Sequence, residues 1–277
     1  MKKITVVLAL LLTILYLRSF IWLARAWLTD PYYSHGFLVL LISGFITWRE
    51  IRSYRRAQKV EPETFKPGIY IFGFGLLLYT IGFITLFPFL AALSFLFTVS
   101  GLILSFYGKP LMRSLLFPLV FLIFAIPLPL LFLEEITYGL QSFSARSSAF
   151  IIGLLGIPVE RTGAEIELQN AAFTIGLPCS GMNTLISLLT LAAILIYLLR
   201  CPLVKKAALF CAAVPIALGA NILRIVSILL VANAYGAEAA IRFFHDFSSI
   251  LLFLVALLGL LILATIFRCK LIVSKGE

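Results

Sequence analysis

Cys179, Arg224 and His245 are the residues whose types could together carry out acyl transfer. A thiolate attacks a carbonyl carbon, a fixed cation holds the oxyanion that the attack creates, and an imidazole takes up and returns a proton. Cys179 lies in Thr174-Ile-Gly-Leu-Pro-Cys-Ser-Gly-Met-Asn-Thr-Leu, where a polar segment ends in a Pro-Cys-Ser-Gly turn and a long apolar run begins. A thiol at the start of the helix predicted there feels the positive end of the helix dipole, which favours the thiolate. Most free cysteines behave as small apolar filler. A turn at a polar–apolar border is an unusual place for filler, so the reactive reading is preferred.

Arg224 stands in Asn221-Ile-Leu-Arg, inside an apolar run that begins near Ala207. That puts it ~25 Å along a helix. A charge at such depth is costly and is normally functional or paired. Asn221, three residues earlier, shares its helix face and can orient the guanidinium or bind substrate. His245, in Phe243-Phe-His-Asp, precedes the last apolar run. It can be the base that activates the thiol or the acid that protonates a leaving amine. Asp246 cannot orient it well, because adjacent side chains diverge. The second imidazole, His35, is read with Ser34 and Gly36 as shaping a substrate entrance, and Glu134 and Glu135 as an interfacial pair. The cysteines at 179, 201, 211 and 269 form no CxxC pair and have no metal-ligand spacing. We expect no metal and no cofactor.

These residues must be held by a membrane-embedded frame. The chain is 62% hydrophobic and 12% charged, with mean hydropathy +1.11, whereas a soluble domain is about a quarter charged. Apolar runs of spanning length recur throughout. A net charge of +10 could suggest nucleic acid, but the basic residues cluster between apolar runs, as the positive-inside rule requires of a membrane protein. No nucleic-acid partner is expected.

The fold class is therefore all-α and polytopic, with about eight transmembrane helices and a short extracytoplasmic segment before span six. Span one is expected over Ile4–Trp27, too long for a signal peptide and without a cleavage site. Spans two to four follow at about Gly36–Trp48, Gly68–Phe87 and Pro88–Tyr107. Gly108-Lys-Pro-Leu-Met-Arg leads to span five at about Ser114–Leu133. Pro127 and Pro129 remove backbone donors, which predicts a kink or helix end. Residues 139–156 read as an amphipathic or re-entrant helix. Ala164, Ile166 and Leu168 alternate with Glu165, Glu167 and Gln169, as in a short strand or hairpin. Spans six to eight are expected at about Met182–Leu199, Ala207–Tyr235 and Phe247–Phe267.

With both termini inside, 16 of the 22 basic residues fall on the inner side, leaving Arg18, Arg25, Arg146, Arg161, Arg224 and Arg242. Lys59 in the basic loop and Lys275 near the C-terminus belong to the inner set. Arg18 and Arg25 can snorkel to the interface. Cys201 and Cys269 then lie at the inner surface and Cys211 early in span seven, so Cys179 has no intramolecular disulfide partner. One integral membrane domain over residues 1–277 is expected. The two halves carry no matching pair of broken spans, which argues against an inverted-repeat transporter.

Taken together, Pro178-Cys-Ser-Gly-Met-Asn, Asn221-Ile-Leu-Arg, His245 before the last span and Tyr32-Tyr-Ser-His-Gly before span two resemble the exosortase/archaeosortase family of membrane cysteine transpeptidases. Some archaeal members carry arginine where His245 stands, so the resemblance is to the bacterial, exosortase type. It covers nearly the whole chain. It implies substrates that are exported proteins with a C-terminal signal: a short motif such as Pro-Glu-Pro, one transmembrane helix and a basic cluster. It also implies that Cys179 forms a thioester, that Arg224 holds the oxyanion or substrate carbonyl, that His245 handles protons and that a lipid accepts the acyl group. The expected location is the bacterial inner membrane, with the active site on the periplasmic side. Release by hydrolysis alone shares the thioester and stays open as an alternative, as does a transporter or lipid-binding scaffold in which Arg224 pairs with substrate.

Overall fold

The structure is a computed structural model that describes residues 2–57, 65–168, 171–174, 180–243 and 249–271. The chain divides into two compact units, Met1–Pro129 and Leu130–Glu277.

The first unit holds α1 (Lys2–Leu15), α2 (Leu17–Thr29), α3 (Gly36–Ala57), α4 (Gly68–Ile84) and α5 (Pro88–Phe121), followed by a 3-10 turn at Leu122–Ala125. The single first span expected from the apolar run is broken at Tyr16, where α1 and α2 meet at 64°. The cause is tertiary. The Tyr16 side chain is fully buried, and its hydroxyl lies 3.0 Å from Ser94 Oγ and 2.8 Å from Thr98 Oγ1 on α5. Nothing in a local apolar pattern encodes that demand.

The connection expected at Gly108–Arg113 is narrowed to a single residue. Only Gly108 leaves helical geometry, at φ 75° and ψ −175°, a region open to glycine alone. Hydrogen bonds show that α5 folds sharply there. Tyr16 meets Thr98, and Trp27 Nε1 donates to the Ala125 carbonyl at 2.7 Å. A straight α5 would separate Thr98 from Ala125 by ~40 Å, whereas α2 carries Tyr16 only ~16 Å from Trp27. Two side chains cannot make up the difference. Along the second limb, Ser43 Oγ donates to the Pro118 carbonyl at 2.8 Å and the Leu128 N–H donates to the Tyr33 hydroxyl at 3.0 Å. These pairings run α3 antiparallel to it. As the two prolines predict, helical geometry ends before Ile126–Pro129.

The α4–α5 hairpin is built on small residues. A Cβ on Gly68, Gly75 or Gly82 would lie 2.7, 2.5 or 2.6 Å from the backbone nitrogen of Ser105, Thr98 or Ala91 respectively. Glycines seven residues apart on one helix thus meet small residues seven apart on the other. In a bilayer, where hydrophobicity does not drive helices together, such close backbone approach is a main source of packing energy.

The second unit holds α6 (Leu130–Leu154), a small sheet of β1 (Val159–Thr162), β2 (Glu165–Leu168) and β3 (Ala171–Thr174), then α7 (Met182–Leu198), β4 (Leu199–Arg200), α8 (Leu203–Tyr235), α9 (Ala237–Phe243), α10 (Ser249–Ile266) and β5 (Lys270–Leu271). The strands β1-β2-β3 are antiparallel in chain order. The expected alternation holds: Ile166 and Leu168 are buried against α6 and α8, and Glu167 faces out. A second core joins α7, α8 and α10 through Leu188, Ala192, Leu209, Ala213, Ala217, Ala256 and Leu260. Cys201 and Cys269, both placed at the inner surface by the sequence reading, are joined as a disulfide with Cα atoms 5.1 Å apart. The antiparallel pair β4–β5 brings these two ends of the unit together, which their 68-residue separation conceals.

By length and composition, Leu203–Tyr235 can cross a membrane, Pro88–Ala125 passes the same test although it folds at Gly108, and the broken pair α1–α2 is a third candidate. Gly68–Ile84, Met182–Leu198 and Phe253–Ile266 are shorter apolar helices. Large apolar side chains such as Leu41, Ile84, Leu131 and Ile266 face outward while Ser94, Thr98, Ser144 and Asn221 are buried. This is an all-α integral membrane protein with two small sheets among the described residues.

The hairpin packing has a direct test. Gly75→Val should cost ~1–3 kcal/mol through overpacking against the Thr98 backbone. Gly73→Ala, with nothing within 4 Å of its added Cβ, should be neutral or stabilise by up to ~1 kcal/mol. Thermal unfolding of the two variants in detergent reads the difference.

Candidate active site

In the second unit, α8 places Asn221 and Arg224 one turn apart on its buried face, at 2% and 7% exposure. An arginine excluded from solvent in this way must be held by protein groups, and its charge is a fixed element of the local field. Asn221 Nδ2 donates to Ser144 Oγ on α6 at 3.1 Å. One turn further along α6, Ser148 Oγ reaches the Ile222 carbonyl at 3.5 Å. Two fully buried serines of α6 thus face the stretch of α8 that carries Asn221 and Arg224.

The start of α7 meets the same place. Ser180 is fully buried, and its Oγ accepts the Met182 N–H at 3.2 Å, tying down one of the donors that a helix start leaves open. Gly181 sits in the left-handed region at φ 82°, and a Cβ there would lie 2.8 Å from Asn221 Cγ. The turn that opens α7 is therefore pressed directly onto the Asn221 side chain. Glycine is needed twice over, for its backbone angle and for the missing Cβ.

Of the three residues that the sequence singles out, Arg224 is in this cluster. Cys179, with Pro178, and His245, with Asp246, lie outside the described residues, as do Lys59 and Lys275. Ser180 and Gly181, the two residues that follow Cys179 in the chain, are in the cluster. Glu134 and Glu135 are exposed on α6. Sequence reasoning missed Ser144 and Ser148. A signal was present: Thr137, Ser144 and Ser148, spaced by seven and four residues, form a small polar stripe on one face of an otherwise apolar helix.

His35 belongs to the first unit, in the turn before α3. Its ring stacks at 6.3 Å on that of Tyr33 and hydrogen-bonds to the Phe124 backbone. Partial burial lowers its pKa below the ordinary histidine range, against the opposing effect of that hydrogen bond. A histidine with a lowered pKa in the folded state contributes stability above its unfolded pKa of ~6.5, and this contribution is lost as pH falls through the folded value. The thermal midpoint of the wild type should therefore drop on acidification from neutral pH towards pH ~5. That drop should be smaller in His35→Gln.

The α7 turn yields a second expectation. Gly181→Ala should destabilise the protein by ~1–3 kcal/mol through strain and contact with Asn221. Gly219→Ala, two residues from Asn221 on α8 but with open space around it, should not. Unfolding monitored in detergent for both variants checks this.

Residues 27–262 match the family model described as transmembrane exosortase. No curated protein and no solved structure matches the chain. The match takes in most of both units and runs through the α6–α7–α8 cluster. The chain belongs to the transmembrane exosortase family, a family of membrane protein-sorting transpeptidases.

Proposed function

We propose that the chain is a cysteine transpeptidase whose nucleophile is Cys179. It acts on exported proteins that carry a C-terminal, PEP-CTERM-like sorting signal and transfers them to a lipid. Cys179 passes its proton to His245, its Sγ attacks the carbonyl carbon of the peptide bond beside the motif, and Arg224 stabilises the oxyanion. As the C–N bond breaks, His245 gives a proton to the departing amine and a thioester remains. The acceptor's nucleophile, deprotonated by His245, then attacks that thioester and frees the thiol. No step needs a metal or a cofactor.

The observation that carries this reading is the seating of Gly181 on Asn221, one helical turn from the buried Arg224. It supports an arginine poised next to the Pro178-Cys-Ser-Gly turn, because Cys179 adjoins the described Ser180 in the chain. The same reading treats residues 1–277 as one functional domain, consistent with a family match that crosses both compact units. It takes the chain through the bacterial inner membrane in about eight spans, with the sharp fold at Gly108 dividing the fourth from the fifth. The basic clusters between apolar runs support an active site on the periplasmic side.

The test is co-expression with a protein bearing the matching C-terminal signal, followed by gel mobility and intact mass. Cys179→Ala should abolish processing, and Arg224→Lys should slow it by roughly 10²–10³-fold, the usual cost of losing an oxyanion contact. A product carrying the mass of a lipid means transfer, and one heavier only by water means hydrolysis. Continued processing by Cys179→Ala would remove the cysteine mechanism and favour a transporter or scaffold.

A further inference from the structure

On α2, Arg18, Ile21, Trp22 and Arg25 recur at the spacing of a single helix face. They line a cavity of about 420 Å³ whose opposite wall includes Phe83, at the end of α4, and Leu86. Arg18 is held over the Phe83 ring, its guanidinium carbon 5.3 Å from the centroid. Arg25 lies two turns further along, roughly 10 Å away on the axis, so the two long side chains can converge on a group placed between them. Neither has a carboxylate partner among the described residues, where the ion pairs are Arg49–Glu50 and Arg242–Glu238.

Two cations without counter-ions, on a helix of a broken membrane span, ask for a compact anion. The apolar wall of Ile21, Trp22 and Leu86 asks for hydrocarbon. We propose that this cavity binds an anionic glycerophospholipid, with its phosphate between Arg18 and Arg25 and an acyl chain along Ile21, Trp22 and Leu86. A guanidinium fork matches phosphate geometry through paired N–H donors. A zwitterionic headgroup would bring its own cation against the same two charges, so the net-negative lipid is selected. This site stands on residues of the first unit alone and is independent of the mechanism proposed for Cys179.

The experiment uses the full chain in detergent, with phosphatidylglycerol and phosphatidylcholine of identical acyl chains at equal concentration, and counts retained lipids by native mass spectrometry. Wild type should retain phosphatidylglycerol about tenfold over phosphatidylcholine, the scale expected for two interfacial arginines. Arg18→Gln with Arg25→Gln should bring that ratio to about one. Should the double variant fail to fold, bromine-labelled phosphatidylglycerol should still quench wild-type tryptophan fluorescence more than bromine-labelled phosphatidylcholine, and Trp22→Phe should remove that excess. Equal retention of the two lipids by wild type would overturn the proposal and leave two snorkelling arginines. Displacement of phosphatidylglycerol by millimolar inorganic phosphate would also overturn it, because the site would then be one for a free anion.

Discussion

Inside a bilayer no water is available to a buried polar group, so each hydroxyl, amide and charge must be satisfied by the protein itself. That constraint organises both units. In the first, the bonds of Tyr16, Trp27, Ser43 and Tyr33 each reach across to α5 or the segment that follows it. Those of Tyr16, Trp27 and Tyr33 coincide with the places where the chain departs from straight helix. The α1–α2 break is where the Tyr16 phenol enters the bundle. The end of the second α5 limb is where the Ala125 carbonyl and the Leu128 N–H, open groups at the limits of a helix, find Trp27 and Tyr33.

The second unit answers the same demand by concentrating its polar groups in one place. Ser144, Ser148, Asn221, Arg224 and Ser180 come from two helices and the turn that opens a third, and are all buried. A cationic side chain held this way has been desolvated during folding, before any substrate arrives. In the mechanism proposed above, such preorganisation is what would make Arg224 effective toward a developing oxyanion, because little reorganisation is left for the moment of reaction. The alanine-rich contact among α7, α8 and α10 lets the helices around this cluster approach closely. The glycine pairs of α4 and α5 do the same for the hairpin of the first unit.

Part of the candidate site was legible in the residues themselves. An arginine deep in an apolar run stands out because it is expensive there; Cys179 and His245, which the sequence also singles out, lie outside the described residues. Ser144 did not stand out. Serine is cheap in a membrane helix, and its importance comes from touching Asn221, 77 residues away. Gly181 was part of a recognisable turn, yet the reason for glycine there is the Asn221 side chain beneath it.

By itself, the sequence determined the membrane class, the apolar segments that became α3, α4, α7, α8 and α10, the strand alternation at Ile166 and Leu168, and the helix end before Pro127 and Pro129. These follow from hydropathy, periodicity and backbone chemistry, which act over a few neighbouring residues. The tertiary structure alone decided the 64° break at Tyr16, the narrowing of the turn between α5's two limbs to Gly108, the Cys201–Cys269 bond and the seating of the α7 turn on Asn221. The first overrides a sound local expectation, of one continuous helix, and the second shortens an expected connection. The physical reason is common to all four. They are set by groups far apart in the chain that must share one water-free interior, and no local pattern records which distant partner will be there.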